Sequence, residues 1–275
     1  MTADAPAPIE RPGCPTCAEP AAAARPLGVL GHRRLVRCRR CGLDYAHTFD
    51  RAALREHYAA AYYGAADDPR LPRWRATHED VWEGLCRSLE RACGGGVARL
   101  LDVGVGSGGF LAYLAARHPA TALEGVEPDP SARAAVADLL PRAQLHARLD
   151  EVRGPFDAVT LLNTLEHVEA PLAVCRAIHR VLVPSGVLLL TVPNAAALAA
   201  RARGLRAPCY ANDTHLQFFT AAAVRRTLTS AGFEQVRRVV APPGGGGVTN
   251  PVARAAQWLL RAAGRANELR FAARR

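Results

Sequence analysis

The chain has 275 residues, 49% of them hydrophobic, and a formal net charge of +10 at pH 7. Such a chain can bury the core of one large or two unequal globular domains, and its sequence has neither a bilayer-length apolar run nor a signal-peptide pattern at the N-terminus. These features exclude a membrane-spanning class and predict a cytoplasmic protein. All 35 basic residues are arginine, as GC-rich coding favours, so the charge permits an anionic small-molecule substrate without requiring one.

Two cysteine pairs define the first predicted unit, residues 1–48. Cys14 and Cys17 form one C-x-x-C pair, and Cys38 and Cys41 form a second after 20 intervening residues. This spacing matches a zinc site in which each pair forms a knuckle and four thiolates complete a tetrahedron. Two disulfides in a secreted module are the alternative, but no signal peptide is present. We expect a zinc ribbon with a structural Zn²⁺, because four thiolates leave no open coordination position.

Residues 49–96 are expected to form a helical linker or lid. Asp50 can cap a first helix that extends through Tyr58. A second helix is predicted over residues 73–91, because large apolar side chains recur there at near-helical spacing. These side chains are Trp74, Trp82, Leu85 and Leu89. We interpret them as a stripe that faces the core rather than as a platform for stacking bases.

After the three glycines at 94–96, predicted strands and helices alternate over residues 97–275. Strands are expected at residues 98–103, 122–127, 144–147, 156–162, 187–192, 233–240 and 268–275. Helices are expected at residues 107–117, 130–140, 170–182, 221–232 (capped by Thr220) and 251–263. This alternation predicts an α/β domain with a doubly wound, mostly parallel sheet. Ligands of such sheets bind beyond the carboxyl ends of the strands.

The loop after the first of these strands carries an acid and a set of glycines. Gly104, Gly106 and Gly109 have the G-x-G-x-x-G spacing of a dinucleotide site. However, Asp102 would repel a pyrophosphate, since like charges ~4 Å apart cost on the order of 4 kcal/mol near a protein surface. S-adenosylmethionine carries an ammonium and a sulfonium instead of phosphate, so the loop favours it over NAD. Glu127, at the end of the next strand, can accept hydrogen bonds from both ribose hydroxyls.

Four segments in order resemble the class I S-adenosylmethionine-dependent methyltransferases. They are the glycine loop, FDAVTLLNTLEHVEAP at 156–171, RVLVPSGVLLLTVPN at 180–194, and HLQFFT followed by SAGF within 215–233. The resemblance extends from about residue 97 to the C-terminus and implies the Rossmann-like fold of that family. It also implies that S-adenosylmethionine contacts a set of strand-end residues. These are Asp102, Gly104, Gly106, Gly108, Glu127, Leu149 and Asn163.

The sequence departs from the family pattern at the position expected to contact the adenine of the cofactor. Many members place an aspartate after the third strand to contact the adenine amine, whereas Arg148 stands at the matching position. Leu149 is expected to form an apolar wall there, and Asp150 could replace the missing contact after a small register shift. Family members with this organisation often cover the cofactor with aromatic residues that precede the main domain, which makes Tyr62 and Tyr63 candidate lid residues.

Two histidines on separate strand-end loops are the candidate catalytic residues. His167 follows the fourth strand and His215 follows the fifth, so we expect them to face each other across the acceptor pocket, where either could remove the proton of an alcohol. Packing roles remain the alternative. Glu166, His167 and His215 also resemble part of the E-x-x-E-H divalent-cation site of small-RNA 2′-O-methyltransferases and some ubiquinone-biosynthesis O-methyltransferases. Asn163 replaces the first acid, which weakens a site for a hard cation.

We therefore expect methylation of a small molecule, at the oxygen of a sugar or natural-product intermediate. A sugar C-methyltransferase is one alternative, although the C-terminal domain of its large members is absent. A second is an RNA methyltransferase that docks through the basic run Arg33, Arg34, Arg37, Arg39 and Arg40. The lack of interleaved aromatic residues disfavours nucleic acid as a partner. A non-catalytic partner-binding protein is the third, and the intact acids at 102 and 127 argue against it.

Overall fold

The computed structural model describes residues 8–57, 71–240 and 251–275. The candidate lid residues Tyr62 and Tyr63 lie outside the described residues, as does Tyr58. Within the described ranges no helix is long and apolar enough to cross a membrane. Two β-sheets organise the structure, and the carboxyl ends of the strands in the larger one carry the candidate site.

The strands are β1 (Ile9–Glu10), β2 (Arg25–Leu30), β3 (Arg33–Arg37), β4 (Asp44–Phe49), β5 (Arg99–Val103), β6 (Ala122–Val126), β7 (Gln144–His146), β8 (Phe156–Leu162), β9 (Leu182–Pro193), β10 (Gln217–Phe218), β11 (Glu234–Arg238) and β12 (Glu268–Arg274). The helices are α1 (Arg51–His57), α2 (Leu71–Cys93), α3 (Gly109–Arg117), α4 (Pro130–Leu139), α5 (Pro171–Val181), α6 (Leu198–Arg203), α7 (Pro208–Ala211), α8 (Ala221–Ser230) and α9 (Pro251–Ala262).

The larger sheet has seven strands in the order β11-β12-β9-β8-β5-β6-β7. Strands β5 to β9 pair in parallel, whereas β12 is antiparallel to both β9 and β11. The chain adds strands on one side of β5 and then on the other, which is the doubly wound arrangement. The predicted mostly parallel α/β fold is therefore confirmed. The winding reverses beside β5, so the expected ligand crevice lies at its carboxyl end.

Helices cover both faces of this sheet. Helices α5 and α8 pack on one face, and α2, α3 and α4 pack on the other. Trp82, Leu85 and Leu89 of the stripe on α2 are buried, as expected, whereas the side chain of Trp74 lies outside the described residues. The predicted final strand is also confirmed: Leu269 and Phe271 of β12 are buried as their period-2 pattern requires. Strand β9 begins five residues earlier than predicted, directly after α5.

The smaller sheet joins the N-terminal residues to a distant part of the chain. Its order is β1-β4-β3-β2, and β10 pairs antiparallel with β4, which places Gln217 opposite Tyr45. The backbone amide of Ala46 also donates to the carbonyl of Leu216 at 2.9 Å. The division of the chain near residue 48 stays a prediction, and this sheet crosses it. As a result, the N-terminal strands are attached to the loop that carries His215.

Candidate functional site

The glycine loop connects β5 to α3 in a conformation that side chains disfavour. Gly104, Gly106 and Gly108 have φ angles of +85°, +57° and +75°, in the region where a Cβ costs energy. A Cβ on Gly104 would fall on the side chain of Thr164, so the loop lies against the segment that follows β8. A Cβ on Gly106 would meet open space. This space, at the N-terminus of α3, is a cradle that fits a nucleoside ligand.

Two buried carboxylates border this cradle. Burial raises the pKa of Asp102 to about 7, and the nearby charge of Glu127 contributes to this rise. A hydrogen bond of 2.6 Å from the Thr160 hydroxyl acts in the opposite direction. Glu127 accepts hydrogen bonds from the backbone amides of Gly106 at 2.9 Å and Asp129 at 3.0 Å. A cationic ligand would favour the charged form of Asp102. The pair therefore fits the ammonium and ribose of S-adenosylmethionine better than a pyrophosphate.

The remaining predicted cofactor contacts lie at the same edge of the sheet. Asn163 directly follows β8 with φ +48°, and its side chain is exposed. Leu149 is partly buried in a short 3₁₀ turn and packs on the core. Asp150 is held at the surface by Arg148, whose Nε is 2.9 Å from Oδ1. The structure thus brings these residues to the expected strand ends, and their contacts with cofactor stay predictions.

The two candidate histidines meet in the structure. The rings of His167 and His215 pack edge to face with centroids 4.7 Å apart. Burial lowers the pKa of His167 to about 3, assisted by the charge of His215, and burial lowers the pKa of His215 to about 4. Both rings are therefore neutral at pH 7 in the free protein. Their catalytic roles remain predictions.

Hydrogen bonds fix which ring nitrogen carries the proton in each histidine. His215 Nδ1 lies 3.0 Å from the carbonyl of Cys209, so it must be protonated in order to donate. His167 Nδ1 lies 2.9 Å from the hydroxyl of Thr214, which itself donates to Asn212 Oδ1 at 2.7 Å. The hydroxyl therefore accepts a hydrogen bond from His167. In both rings the basic lone pair is on Nε2, as proton abstraction or metal binding would require.

Glu166 lies beside the histidines, with its Oε1 3.9 Å from Nε2 of His167. Its side chain is 1% exposed, and among the described residues neither carboxylate oxygen has a hydrogen-bond partner. Burial raises its pKa to about 8. One ligand atom from each of Glu166, His167 and His215 lies within 4.8 Å of the other two. Two imidazoles and a carboxylate form a donor set that suits a divalent transition metal.

The predicted cysteine ligands also converge. Cys14 and Cys41 have Sγ atoms 3.5 Å apart, as do Cys17 and Cys38, and all four Sγ atoms lie within 4.8 Å of one another. A tetrahedral zinc site with bonds of about 2.3 Å separates its sulfurs by about 3.8 Å, whereas a disulfide requires about 2.05 Å. The cluster therefore fits Zn²⁺.

The backbone supports the same interpretation of the cysteine cluster. The residue after each pair, Ala18 or Gly42, has a positive φ. Its amide donates to the carbonyl of the first cysteine of the pair, at 2.9 and 3.0 Å respectively. The two pairs therefore form matching turns, as two knuckles of one metal site would.

Sequence reasoning missed the role of Arg33. Its side chain is fully buried and donates to the carbonyls of Asn212 at 2.7 Å, His215 at 2.8 Å and Tyr210 at 3.4 Å, and to the carboxylate of Asp213 at 2.9 Å. One guanidinium thus holds the backbone of the loop that carries His215. The signal was present in the sequence, because period-2 alternation in a strand places residue 33 on the same face as the apolar residue 35.

The basic run considered for RNA docking is divided by the fold. Arg33 faces the interior, and Arg37 is paired with the fully buried carboxylate of Asp44 through bonds of 2.5 and 2.8 Å. Asp44 also accepts a hydrogen bond of 2.6 Å from the hydroxyl of Tyr210. Two of the five arginines therefore stabilise the structure. This observation further weakens the RNA alternative.

Comparisons with known proteins agree with a methyltransferase fold. The methyltransferase domain family matches residues 74–238. The ubiquinone biosynthesis O-methyltransferase of Xanthomonas campestris pv. campestris (strain B100) is 40% identical over 106 residues, which are 35% of this chain and 44% of the relative. This similarity thus spans less than half of the relative's own length.

Solved structures share the fold at low identity. The plantazolicin methyltransferase BamL, in complex with a triazolic desmethylPZN analog and SAH, has a TM-score of 0.58 and 12% identity over 81% of this chain and 94% of that one. The 4+2 cyclase SpnF has a TM-score of 0.53 and 22% identity over 82% of this chain and 92% of that one. Proteins with this fold therefore have more than one named activity, so the fold by itself does not identify the reaction. The match to the family over most of the chain shows that this protein belongs to the methyltransferase domain family, with the class I S-adenosylmethionine-dependent methyltransferase fold.

Proposed function

We propose that this protein transfers a methyl group from S-adenosylmethionine to a hydroxyl of a small molecule, a sugar or natural-product intermediate. One observation carries the proposal: the glycine loop and the cluster of Glu166, His167 and His215 are adjacent. Gly104 lies against Thr164, and the carbonyl of Thr164 accepts a hydrogen bond from the amide of His167. A short segment, residues 164–167, thus joins the cofactor cradle to His167, whose ring packs against that of His215.

The residues of the chain have separate tasks in this proposal. S-adenosylmethionine supplies an electrophilic methyl group on a sulfonium. Asp102 accepts hydrogen bonds from its ammonium, and Glu127 from its ribose. His215 accepts the proton of the acceptor hydroxyl at Nε2, while its Nδ1–H remains bonded to Cys209. Holding the two reactants in line can contribute ~7–11 kcal/mol of the barrier, which lets a weak base suffice.

Glu166 favours a second candidate for activation of the acceptor. Its buried carboxylate has no hydrogen-bond partner among the described residues and lies beside two neutral imidazoles. Such a group needs a proton or a cation to offset the cost of burial. A divalent cation held by Glu166, His167 and His215 would lower the pKa of a hydroxyl bound to it. His167 and His215 would then act as ligands rather than as bases.

We also propose that Cys14, Cys17, Cys38 and Cys41 hold a structural Zn²⁺. The metal would fix the two turns that precede β2 and follow β3. These strands belong to the sheet that β10 completes, and β3 carries Arg33. The zinc therefore stabilises the scaffold of the His215 loop and takes no part in methyl transfer.

The experiment measures release of S-adenosylhomocysteine from S-adenosylmethionine across a panel of catechols, hydroxybenzoates and hexoses. We expect at least one class to be methylated, and His215→Ala and His167→Ala to reduce turnover by 10²-fold or more. The affinity for S-adenosylhomocysteine should stay within about twofold of wild type, because the contact between the glycine loop and this segment is made by Thr164 and not by either imidazole. Turnover that is unchanged in both variants would contradict the proposal.

Chelation separates the two modes of activation. EDTA is applied at a concentration that leaves one zinc per chain, as verified by metal analysis. Lost turnover that Mg²⁺ or Mn²⁺ restores would identify the metal mode, with Glu166→Gln as inactive as the histidine variants. Turnover that EDTA leaves intact would identify the base mode. In that case Glu166→Gln should retain most of its activity, since it keeps the shape of the side chain.

A further inference from the structure

A cavity of about 690 Å³ lies beside the amino end of β12, between α2, α6 and α9. Its volume falls in the range of small-molecule sites. Five arginines line it, against two carboxylates, Asp80 and Glu268. Apolar side chains, among them Val81, Leu198 and Leu260, form the rest of its wall. The cavity is therefore suited to an anion that is attached to an apolar body.

Arg270 is the central cation of this cavity. Its side chain is only 11% exposed, and its Nη2 is 3.4 Å from Glu268 Oε1, a long contact to a carboxylate that is 41% exposed. Its Nη1 is fully buried and, among the described residues, has no hydrogen-bond partner. Burial and the positive charge of Arg261 both lower the pKa of Arg270. A buried guanidinium with an unused donor is costly unless an acceptor is supplied.

Among the described residues that line the cavity, arginines outnumber carboxylates five to two. Arg238, at the end of β11, donates to the carbonyl of Ala262 in α9 and so remains on the cavity wall. The described lining of the cavity therefore carries an excess of positively charged over negatively charged residues. An external anion would offset this excess.

A second, smaller cavity has lining residues in common both with the first cavity and with the candidate active site. It has a volume of about 160 Å³ and is lined by His215, Cys209 and Asn194, among others. Ala199 and Asn267 line both cavities. A ligand that extends past these two residues could therefore reach from Arg270 to His215. The two ends of such a ligand would be an anion and the hydroxyl to be methylated.

We propose that the acceptor carries an oxyanion, a phosphate or a carboxylate, that binds Arg270 in this cavity while its hydroxyl lies at His215. The link to methyl transfer rests on the proposed function, whereas the anion site itself does not depend on it. Phosphate and carboxylate share the required chemistry, since either accepts paired hydrogen bonds from a guanidinium. The apolar wall would contact the body of the acceptor between its two polar ends.

Calorimetric titration with two probes tests this site: inorganic pyrophosphate for the phosphate arm and 3,4-dihydroxybenzoate for the carboxylate arm. Ionic strength is held constant with sodium chloride. Wild type is compared with Arg270→Gln and with Arg226→Gln, a control on the exposed face of α8. We expect saturable binding of at least one probe by wild type and control, and at least a tenfold loss of affinity in Arg270→Gln. The probe that binds identifies whether the site takes a phosphate or a carboxylate.

Thermal unfolding distinguishes a binding role from a structural one. Because Arg270 lacks a full set of partners, Arg270→Gln without anion should keep or raise the Tm, and the anion should no longer increase it. If that variant fails to fold, Arg261→Gln replaces it with the same expectation for binding. Absence of saturable binding of either probe, or equal binding by wild type and variant, would overturn the proposal.

Titration with S-adenosylhomocysteine in parallel keeps the two proposals separable. Binding of S-adenosylhomocysteine without any anion binding would overturn the anion site alone. Anion binding by a protein that does not bind S-adenosylhomocysteine would support the cavity and overturn the proposed methyl transfer. A ternary complex, with the carboxylate or phosphate on Arg270 and a hydroxyl near His215, would support both.

Discussion

Replacing Arg33 should loosen the His215 loop where it packs on the N-terminal sheet, without disturbing the cofactor cradle. In Arg33→Met the carbonyls of Asn212 and His215 lose the guanidinium that donates to them, while Asp213, whose side chain is 53% exposed, can be hydrated instead. Removing one partner from a buried charged network costs about 3–5 kcal/mol. Methionine also removes the burial cost of the cation, so we expect about 3 kcal/mol of lost stability. The corresponding fall in Tm is roughly 6–12 °C for a protein of this size.

The kinetic consequence of Arg33→Met should exceed the effect on cofactor binding. A misplaced His215 should lower kcat by about 10²-fold, because a shift of about 1 Å at the reacting groups can have this effect. The dissociation constant of S-adenosylhomocysteine should change less than threefold. Arg34→Gln is the control, since Arg34 is exposed on the same strand, and its stability should stay within about 0.5 kcal/mol of wild type. A folded Arg33→Met protein with wild-type kcat would refute this reasoning.

Four further predictions concern the cofactor loop and the cysteine cluster. Gly104→Ala should weaken the binding of S-adenosylhomocysteine at least tenfold, because the added Cβ would collide with Thr164. The control Gly94→Ala, at φ +70° with open space around its Cβ, should bind this ligand with wild-type affinity. Equal affinities of the two variants, measured by calorimetry, would contradict this prediction. Affinity for S-adenosylmethionine should rise from pH 6 to 8 as Asp102 ionises near its folded pKa of about 7, and Asp102→Asn should flatten the profile. Because the pKa of Asp102 is raised in the folded protein, its contribution to the free energy of unfolding is fully present below about pH 4 and is lost as the pH rises through 7. In Asp102→Asn, the free energy of unfolding should therefore fall less over this pH range than in wild type. Metal analysis should find one zinc per chain and none in Cys41→Ser; a zinc-free wild type with an intact N-terminal sheet would exclude the metal.

Much of the larger sheet could be predicted from short-range patterns. Apolar runs of five to seven residues marked β5, β6 and β8, and the glycine spacing marked the turn into α3. Thr220 was predicted as a helix cap, and its side chain accepts a hydrogen bond from the amide of Ala223. These features depend on neighbours within a few residues, so the sequence displays them directly.

The contacts that the sequence did not reveal are long-range. The pairing of β10 with β4 joins residues about 170 positions apart, and a strand of two residues has no periodicity to detect. Arg33 stands in a basic run, which in most proteins is a solvated surface. Its partners in the structure are carbonyls of residues 210–215, and the composition of that loop does not indicate them. The convergence of the two histidines could be expected because both follow parallel strands that end at the same edge of the sheet, whereas the burial of Glu166 beside them required the tertiary structure.

Binding of S-adenosylhomocysteine, measured by calorimetry on the full chain with NAD as the comparison ligand, tests the central claim most directly. The proposal that Asp102 and Glu127 adapt the glycine loop to S-adenosylmethionine predicts one-to-one binding of S-adenosylhomocysteine, weakened in Glu127→Ala by roughly 1.5–3 kcal/mol, and no heat from NAD. Micromolar binding of NAD, with none of S-adenosylhomocysteine, would contradict it.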